Sequence, residues 1–333
     1  MAFSLTKCLH ALLPKMVFNS ALWWSIILAE FVENRRSGVR WENTMKYETI
    51  AFTEGDADFI KKKVTAVADS IVPPEEGAKD EYVLRKVTDE EGNIIAGCIM
   101  IINKCKVADL DTLWVDKKYR RQGIGSALIR EAERVAKEKD CYAMTLATFD
   151  FQARPLYEKH GFTVCGTLRV WPWGHEDYIM MKRLDQPCEG YIPSKVCQYE
   201  IKTADGDDAE AIEDRLGEYN NSQVPYEHGW IPLGRKITDD AGNTIAGCFA
   251  GVQGWHCAIV ETVWTNEASR NHGIGSQLLR EIENDAKENG AVIAITISFD
   301  WSLPFFEKNG YTVAAIREDV PRGHSCYILR KLL

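Results

Sequence analysis

Seven residues, Arg120-Arg121-Gln122-Gly123-Ile124-Gly125-Ser126, stand between a strand-like run and an amphipathic helical run. Their chemistry suits an anion. Backbone amides at a helix start lack intrahelical acceptors and the helix dipole adds partial positive charge, so such a loop can hold a diphosphate. Glycines at 123 and 125 let the backbone approach a ligand with no Cβ in the way, while Arg120 and Arg121 add fixed positive charge. A lone G-x-G serves equally well as a tight strand-to-helix turn, so its weight depends on its company. That company is a second loop 150 residues on: Arg270-Asn271-His272-Gly273-Ile274-Gly275-Ser276.

The repetition extends well beyond the loop. Thr88 to Cys98 (TDEEGNIIAGC) returns as Thr238 to Cys248 (TDDAGNTIAGC), and Thr148-Phe149-Asp150 returns as Ser298-Phe299-Asp300. Tyr157-Glu158-Lys159-His160-Gly161-Phe162 returns as Phe306-Glu307-Lys308-Asn309-Gly310-Tyr311, at an offset of 149. The period is too long for a solenoid and reads as two copies of one domain. Copy one covers 45–184 and copy two covers 198–333. Between them 185–197 has the Pro/Gly/polar character of a linker. Residues 1–44 have no counterpart in copy two. An accessory helix, a targeting leader, a membrane span and an upstream extension all stay open for them.

Each copy must position its loop with alternating helices and strands. In copy one Gly55-Asp56-Ala57-Asp58 opens a helical pattern with Phe59, Ile60, Val64, Val67 and Ile71 on one side. Tyr82–Val87 and Ile94–Ile102 read as strands around an Asp-Glu-Glu-Gly-Asn turn, and Val107–Val115 as a third strand. A helix follows over about 126–139, then a strand at 142–147, a helix near 152–160 and strands at about 162–170 and 176–183. The class is α/β with a mixed sheet.

Composition narrows the function. The chain has 333 residues, 45% hydrophobic and 27% charged, which excludes disorder, collagen-like repeats and a multi-span membrane protein as the main architecture. A net charge of −9 is a poor footing for phosphate-mediated nucleic-acid binding and suits cationic small molecules or basic peptides. The ten cysteines form no C-x-x-C pair and the histidines no H-x-x-x-H pair. We therefore expect reduced thiols, a cytoplasmic location and no metal site.

With both loops and the Leu156-Tyr157-Glu158-Lys159-His160-Gly161-Phe162 segment in view, the chain resembles the GNAT superfamily of N-acetyltransferases. Its Q/R-x-x-G-x-G/A acetyl-CoA motif matches at Arg120–Gly125 and again in copy two, and the resemblance covers about 45 to 333. It implies two tandem domains, each a mixed, mainly antiparallel sheet flanked by helices. It also implies that Arg120, Arg121, Gln122, Gly123, Ile124, Gly125 and Ser126, and likewise Arg270, Asn271, His272, Gly273, Ile274, Gly275 and Ser276, cradle the pyrophosphate of acetyl-CoA, the acetyl donor. Main-chain amides near Leu113 and Val115 are expected to hold the pantetheine and polarise the thioester.

Tyr157 falls where such enzymes place the acid that protonates the departing thiolate, a task a phenol suits because it stays protonated at neutral pH. Asp109 and Asp111 lie on one face of the strand before the loop, where two carboxylates can raise each other's pKa. Asp111 is the preferred proton acceptor, since copy two keeps an acid there (Glu261) but has Ile259 for Asp109. Copy two has Phe306 for Tyr157, so copy one is the expected catalytic copy. Trp171 and Trp173 can wall an amine pocket by cation–π contact or simply pack the hairpin. The activity implied is transfer of an acetyl group to a primary amine, on a small molecule or a peptide, by direct attack in a ternary complex. An acyl-CoA-binding sensor or scaffold and a protein N-acetyltransferase are the alternatives.

Overall fold

The structure, a computed structural model, describes residues 47–53, 55–169, 171–187, 191 and 195–333. The expectation for 1–44 lies outside the described residues, as do parts of the linker. Copy one contributes β1 (Ile50–Ala51), α1 (Asp56–Ile71), β2 (Glu81–Thr88), β3 (Ile94–Ile102), β4 (Val107–Val115), α2 (Ile124–Glu138), β5 (Ala143–Phe149), α3 (Arg154–Lys159), β6 (Thr163–Arg169) and β7 (Glu176–Arg183). Copy two repeats the order as β8 (Lys202–Thr203), α4 (Gly206–Gln223), β9 (Ile231–Thr238), β10 (Thr244–Gln253), β11 (Cys257–Thr265), α5 (Ile274–Glu288), β12 (Ile293–Phe299), α6 (Leu303–Lys308), β13 (Thr312–Arg317) and β14 (Cys326–Leu332).

The strands form one continuous sheet in the order β1-β9-β10-β11-β12-β14-β13-β6-β7-β5-β4-β3-β2-β8. Its centre is the join between copies, where Ala315 of β13 lies opposite Gly166 of β6. Pairing is antiparallel throughout except for β4 with β5 and β11 with β12. An apolar cluster seals the junction: Phe149 and Trp171 of copy one meet Trp255 of copy two edge-on, at ring centroid distances of 5.3 and 6.0 Å. Arg183 adds an ion pair across it to Asp319 at 2.7 Å.

The ends of the sheet reveal an exchange. β1, from copy one, pairs with β9, and β8, from copy two, pairs with β2. The helices follow their strands: α1 packs on β10 and β11, and α4 on β2, β3 and β4. Equivalent ion pairs hold both helix starts, Asp56 to Lys236 and Asp208 to Lys86. At α4 a reciprocal cap also satisfies the first amides, Asp205 accepting from Asp208 N and Asp208 from Asp205 N, both at 3.0 Å. Each copy's sheet is thus completed by the other copy's first strand and helix.

The other helices keep the pattern read from their apolar spacing. α2 buries Leu128, Ile129, Ala132, Val135 and Ala136 against copy one's sheet, and α5 buries Leu278, Leu279, Ile282 and Ala286 against that of copy two. The described cysteines are free thiols, five of them buried. Among the described residues no helix is long and apolar enough to cross a membrane.

Candidate active site

β4 and β5 start as parallel neighbours and then separate. Their pairing runs only from Val107↔Ala143 to Asp109↔Thr145, so the backbone of 111–115 leaves β5 and opens a wedge. At the head of the wedge β4 carries a bulge: Thr112 faces Ile99 and Leu110 faces Met100, leaving Asp111 as the extra residue. A bulge bends the strand and re-aims the side chain at it. Copy two repeats the device, with Thr262 opposite Phe249, Val260 opposite Ala250 and Glu261 left over.

The glycine loop closes the wedge. Gly123 caps α2 at φ +86°, a left-handed conformation that costs glycine nothing, and no side chain caps this helix. The first amide of α2 with an intrahelical acceptor is Ala127 N, which donates to Gly123 O at 3.0 Å, so the amides of Ile124, Gly125 and Ser126 point out of the helix start. The connector between copies crosses here: a Cβ on Gly123 would stand 2.6 Å from Lys195 O. Copy two reproduces the turn, with Asn271 at φ 64° and Gly273 at φ 82° ahead of α5.

A cleft of about 720 Å³ collects these parts in copy one. Asp111, Leu113, Val115, Arg120, Arg121, Gly123, Ile124, Gly125, Ser126 and Tyr157 all line it. Gln122 does not; its amide reaches back to Lys118 O at 3.4 Å. Tyr157 is 7% exposed, set edge-on to Phe162 at 6.0 Å, and burial pushes its phenol well above the usual tyrosine range. It therefore stays protonated at neutral pH. Phe306 occupies the matching buried place in copy two, edge-on to Tyr311.

The far wall of the cleft belongs to the other copy. Leu216 and Tyr219, on α4, line it. Tyr219 donates its hydroxyl to Phe151 O at 2.7 Å and offers its ring to Arg120, whose guanidinium lies 4.9 Å from the centroid. Arg215 sits over Trp114 at 5.2 Å. On the same helix Glu213 is pushed up to about 8, by burial first and then by the charges of Asp111, Asp214 and Glu210. The sequence reading assigned α4 no part in copy one's cleft, because nothing local in a sequence shows which of two equivalent sheets a helix covers.

Three sequence expectations change here. Asp111 has Glu213 as its carboxylate neighbour, rather than Asp109: Asp109 is raised by burial and faces Arg317 and Thr145 at the join between copies. The tryptophans wall no amine pocket, since Trp171 is fully buried at the join and Trp173 is 70% exposed. His175 and His324 each bond an aspartate, Asp150 at 2.8 Å and Asp300 at 3.1 Å, which makes them turn anchors.

Comparison with known proteins agrees with this geometry. The model of the acetyltransferase (GNAT) family matches twice, over 48–162 and 199–311. The blasticidin-S acetyltransferase of Streptomyces morookaense is 36% identical over 76 residues, 22% of this chain and 56% of that protein, so the match spans about half the length of that relative. An acetyltransferase structure from Bacillus cereus ATCC 14579 is 34% identical, covering 44% of this chain and 97% of its own, with a TM-score of 0.37. The ribosomal-protein-S18-alanine N-acetyltransferase of Escherichia coli is 19% identical, covering 43% of this chain and 96% of its own, with a TM-score of 0.30.

Proposed function

The chain belongs to the acetyltransferase (GNAT) family, and on that premise we propose that it transfers the acetyl group of acetyl-CoA to a primary amine by direct attack in a ternary complex, with copy one the catalytic copy. The observation that supports this reading is the single cleft that joins the Gly123–Ser126 helix start, the wedge beside Leu113 and Val115, Tyr157 and Asp111. Acetyl-CoA supplies the activated acyl group. The wedge suits its pantetheine, because the amides of 111–115 have left their β5 partners, and the α2 start with Arg120 and Arg121 suits its pyrophosphate.

The remaining work falls to a few side chains. Asp111 takes the proton of the incoming ammonium, directly or through water, so that a neutral amine attacks. The Leu113–Val115 backbone holds the carbonyl where negative charge develops. Tyr157 gives its proton to the departing sulfur. Holding both substrates in one walled cleft contributes the rest by proximity. Small amines, including compounds of the kind named for the blasticidin-S relative, are the acceptor class this reading favours over peptides. Phe306 favours a different role for copy two, that of binding an acyl-CoA without fast turnover.

The test is thiol release from acetyl-CoA across an amine panel, comparing the wild type with Tyr157→Phe. A fall of about 10²-fold in turnover, with acetyl-CoA affinity retained, is expected for loss of a general acid. Undiminished turnover in the variant would move the acid elsewhere or to copy two.

A further inference from the structure

The two exchanged helices can be aligned by their contacts. Ile212 of α4 lies against Gly97, and Ile60 of α1 lies against Gly247, the same glycine one repeat later. The next residue on each helix then occupies the same place over its sheet. On α4 that residue is Glu213, whose charge is felt by Asp111 at the bulge. On α1 it is Lys61, whose charge is felt by Glu261 at the equivalent bulge. One cleft therefore sets carboxylate against carboxylate, and the other sets a lysine ammonium against its carboxylate.

We propose that this helix position decides which cleft admits a cationic acceptor: Glu213 fits the Asp111 cleft to an amine that carries a second ammonium group, and Lys61 fills that group's place in the Glu261 cleft. The inference rests on the acetyltransferase reading for the fate of the first amine but on the two pairs themselves for the second. Two carboxylates in one partly buried site repel each other unless a cation lies between them. The 720 Å³ cleft lined by Asp111 gives that cation room. Copy two shows the same arrangement satisfied from within, its bulge carboxylate opposed by a cation of the chain itself. Arg215 does not take this role in copy one, because its guanidinium lies over Trp114. Of Asp111 and Glu213, the bulge residue serves the reacting amine and Glu213 the remote ammonium.

The experiment uses the full chain and two probes, 1,4-diaminobutane and 1-aminobutane. Calorimetric titration reads binding without turnover, and thiol release from acetyl-CoA reads transfer. We expect one diamine site per chain with at least tenfold preference over the monoamine. Glu213→Gln removes the preference, Glu213→Lys abolishes diamine binding with acetyl-CoA affinity kept, and Lys61→Glu raises the stoichiometry to two. Equal affinity for both amines, no binding of either, a preference that survives Glu213→Gln, or a stoichiometry that stays at one in Lys61→Glu overturns the proposal. Glu213-dependent diamine binding with no thiol released ends the transferase reading and leaves this one standing. Transfer whose KM ignores Glu213 does the reverse.

Discussion

Ile212 occupies the space that a side chain on Gly97 would need: its Cδ1 lies 2.1 Å from the position of a Cβ there. Gly97 is on β3 of copy one and Ile212 on α4 of copy two, so this contact seats a helix from one half of the chain on the sheet of the other. The cleft that holds Asp111 and Tyr157 depends on that seating for Leu216 and Tyr219. The catalytic unit is therefore built from both copies, even though its glycine loop, Asp111 and Tyr157 come from one.

Gly97→Val should unseat α4. The new side chain meets Ile212 and also the backbone oxygen of Arg85, 2.8 Å from the Cβ position. Overpacking of this kind costs about 1–3 kcal/mol. Urea unfolding should show that loss, and acceptor KM should rise while acetyl-CoA affinity changes less. Adding Ile212→Ala should restore part of both. A variant of wild-type stability and KM would show that α4 does not sit on this strand.

Tyr219→Ala tests the far wall at the cofactor end. It removes the ring beneath Arg120 and the hydroxyl bonded to Phe151 O. An exposed cation–π contact contributes about 0.5–1 kcal/mol, so acetyl-CoA affinity should weaken roughly 2- to 5-fold at constant salt. Tyr219→Phe should recover the Arg120 contact and most of that loss. An unchanged acetyl-CoA Kd in the alanine variant would detach Tyr219 from the cofactor side.

Much of this architecture is legible in the chain. β3 at Ile94–Ile102 and β4 at Val107–Val115 fall where the strand pattern ends at Asn103 and at the glycine loop. The loop and Tyr157 are legible for the same reason, since spacing along one strand-loop-helix unit fixes where they point. The exchange is not, because Ala96-Gly97-Cys98 and Ala246-Gly247-Cys248 offer nearly the same surface and each helix brings an isoleucine to it. The bulge at Asp111 also escapes a period-two reading, which keeps Asp109 and Asp111 in step and makes them mutual neighbours. Glu213 is hidden twice over, by the exchange and by its place on a helix whose other acids are solvated.

Asp177, fully buried on β7 at the join, makes stability fall as pH rises. Burial pushes its carboxyl from 3.8 to about 7, with Arg317 and a backbone hydrogen bond opposing. The folded chain keeps this proton above pH 4 while the unfolded chain loses it. The group's contribution therefore declines between about pH 4 and 7 and levels off above, with a slope of at most about 1.4 kcal/mol per pH unit. Asp177→Asn should flatten that slope, so its unfolding free energy relative to wild type should rise from pH 5 to pH 7. A constant difference across that range would show that Asp177 is ionised in the fold.

The Lys61–Glu261 pair gives the last test, on the copy that Phe306 sets apart. Burial pushes Glu261 up to about 8 and Lys61 down to about 8, and each charge opposes the other's shift. Lys61→Met leaves Glu261 harmless while it is protonated, but above pH 8 its ionisation puts an uncompensated charge into the site. The loss of stability should therefore be small at pH 6 and grow toward pH 9. Glu261→Gln in the same chain should remove that growth, because a neutral amide needs no counter-charge. A double-mutant cycle by urea unfolding at pH 9 should return a coupling of about 0.5–3 kcal/mol, the range for residues in one ion-pair network. Additive losses at pH 9 would mean that Lys61 and Glu261 do not face each other, and that the charge inversion between the two clefts has no energetic basis.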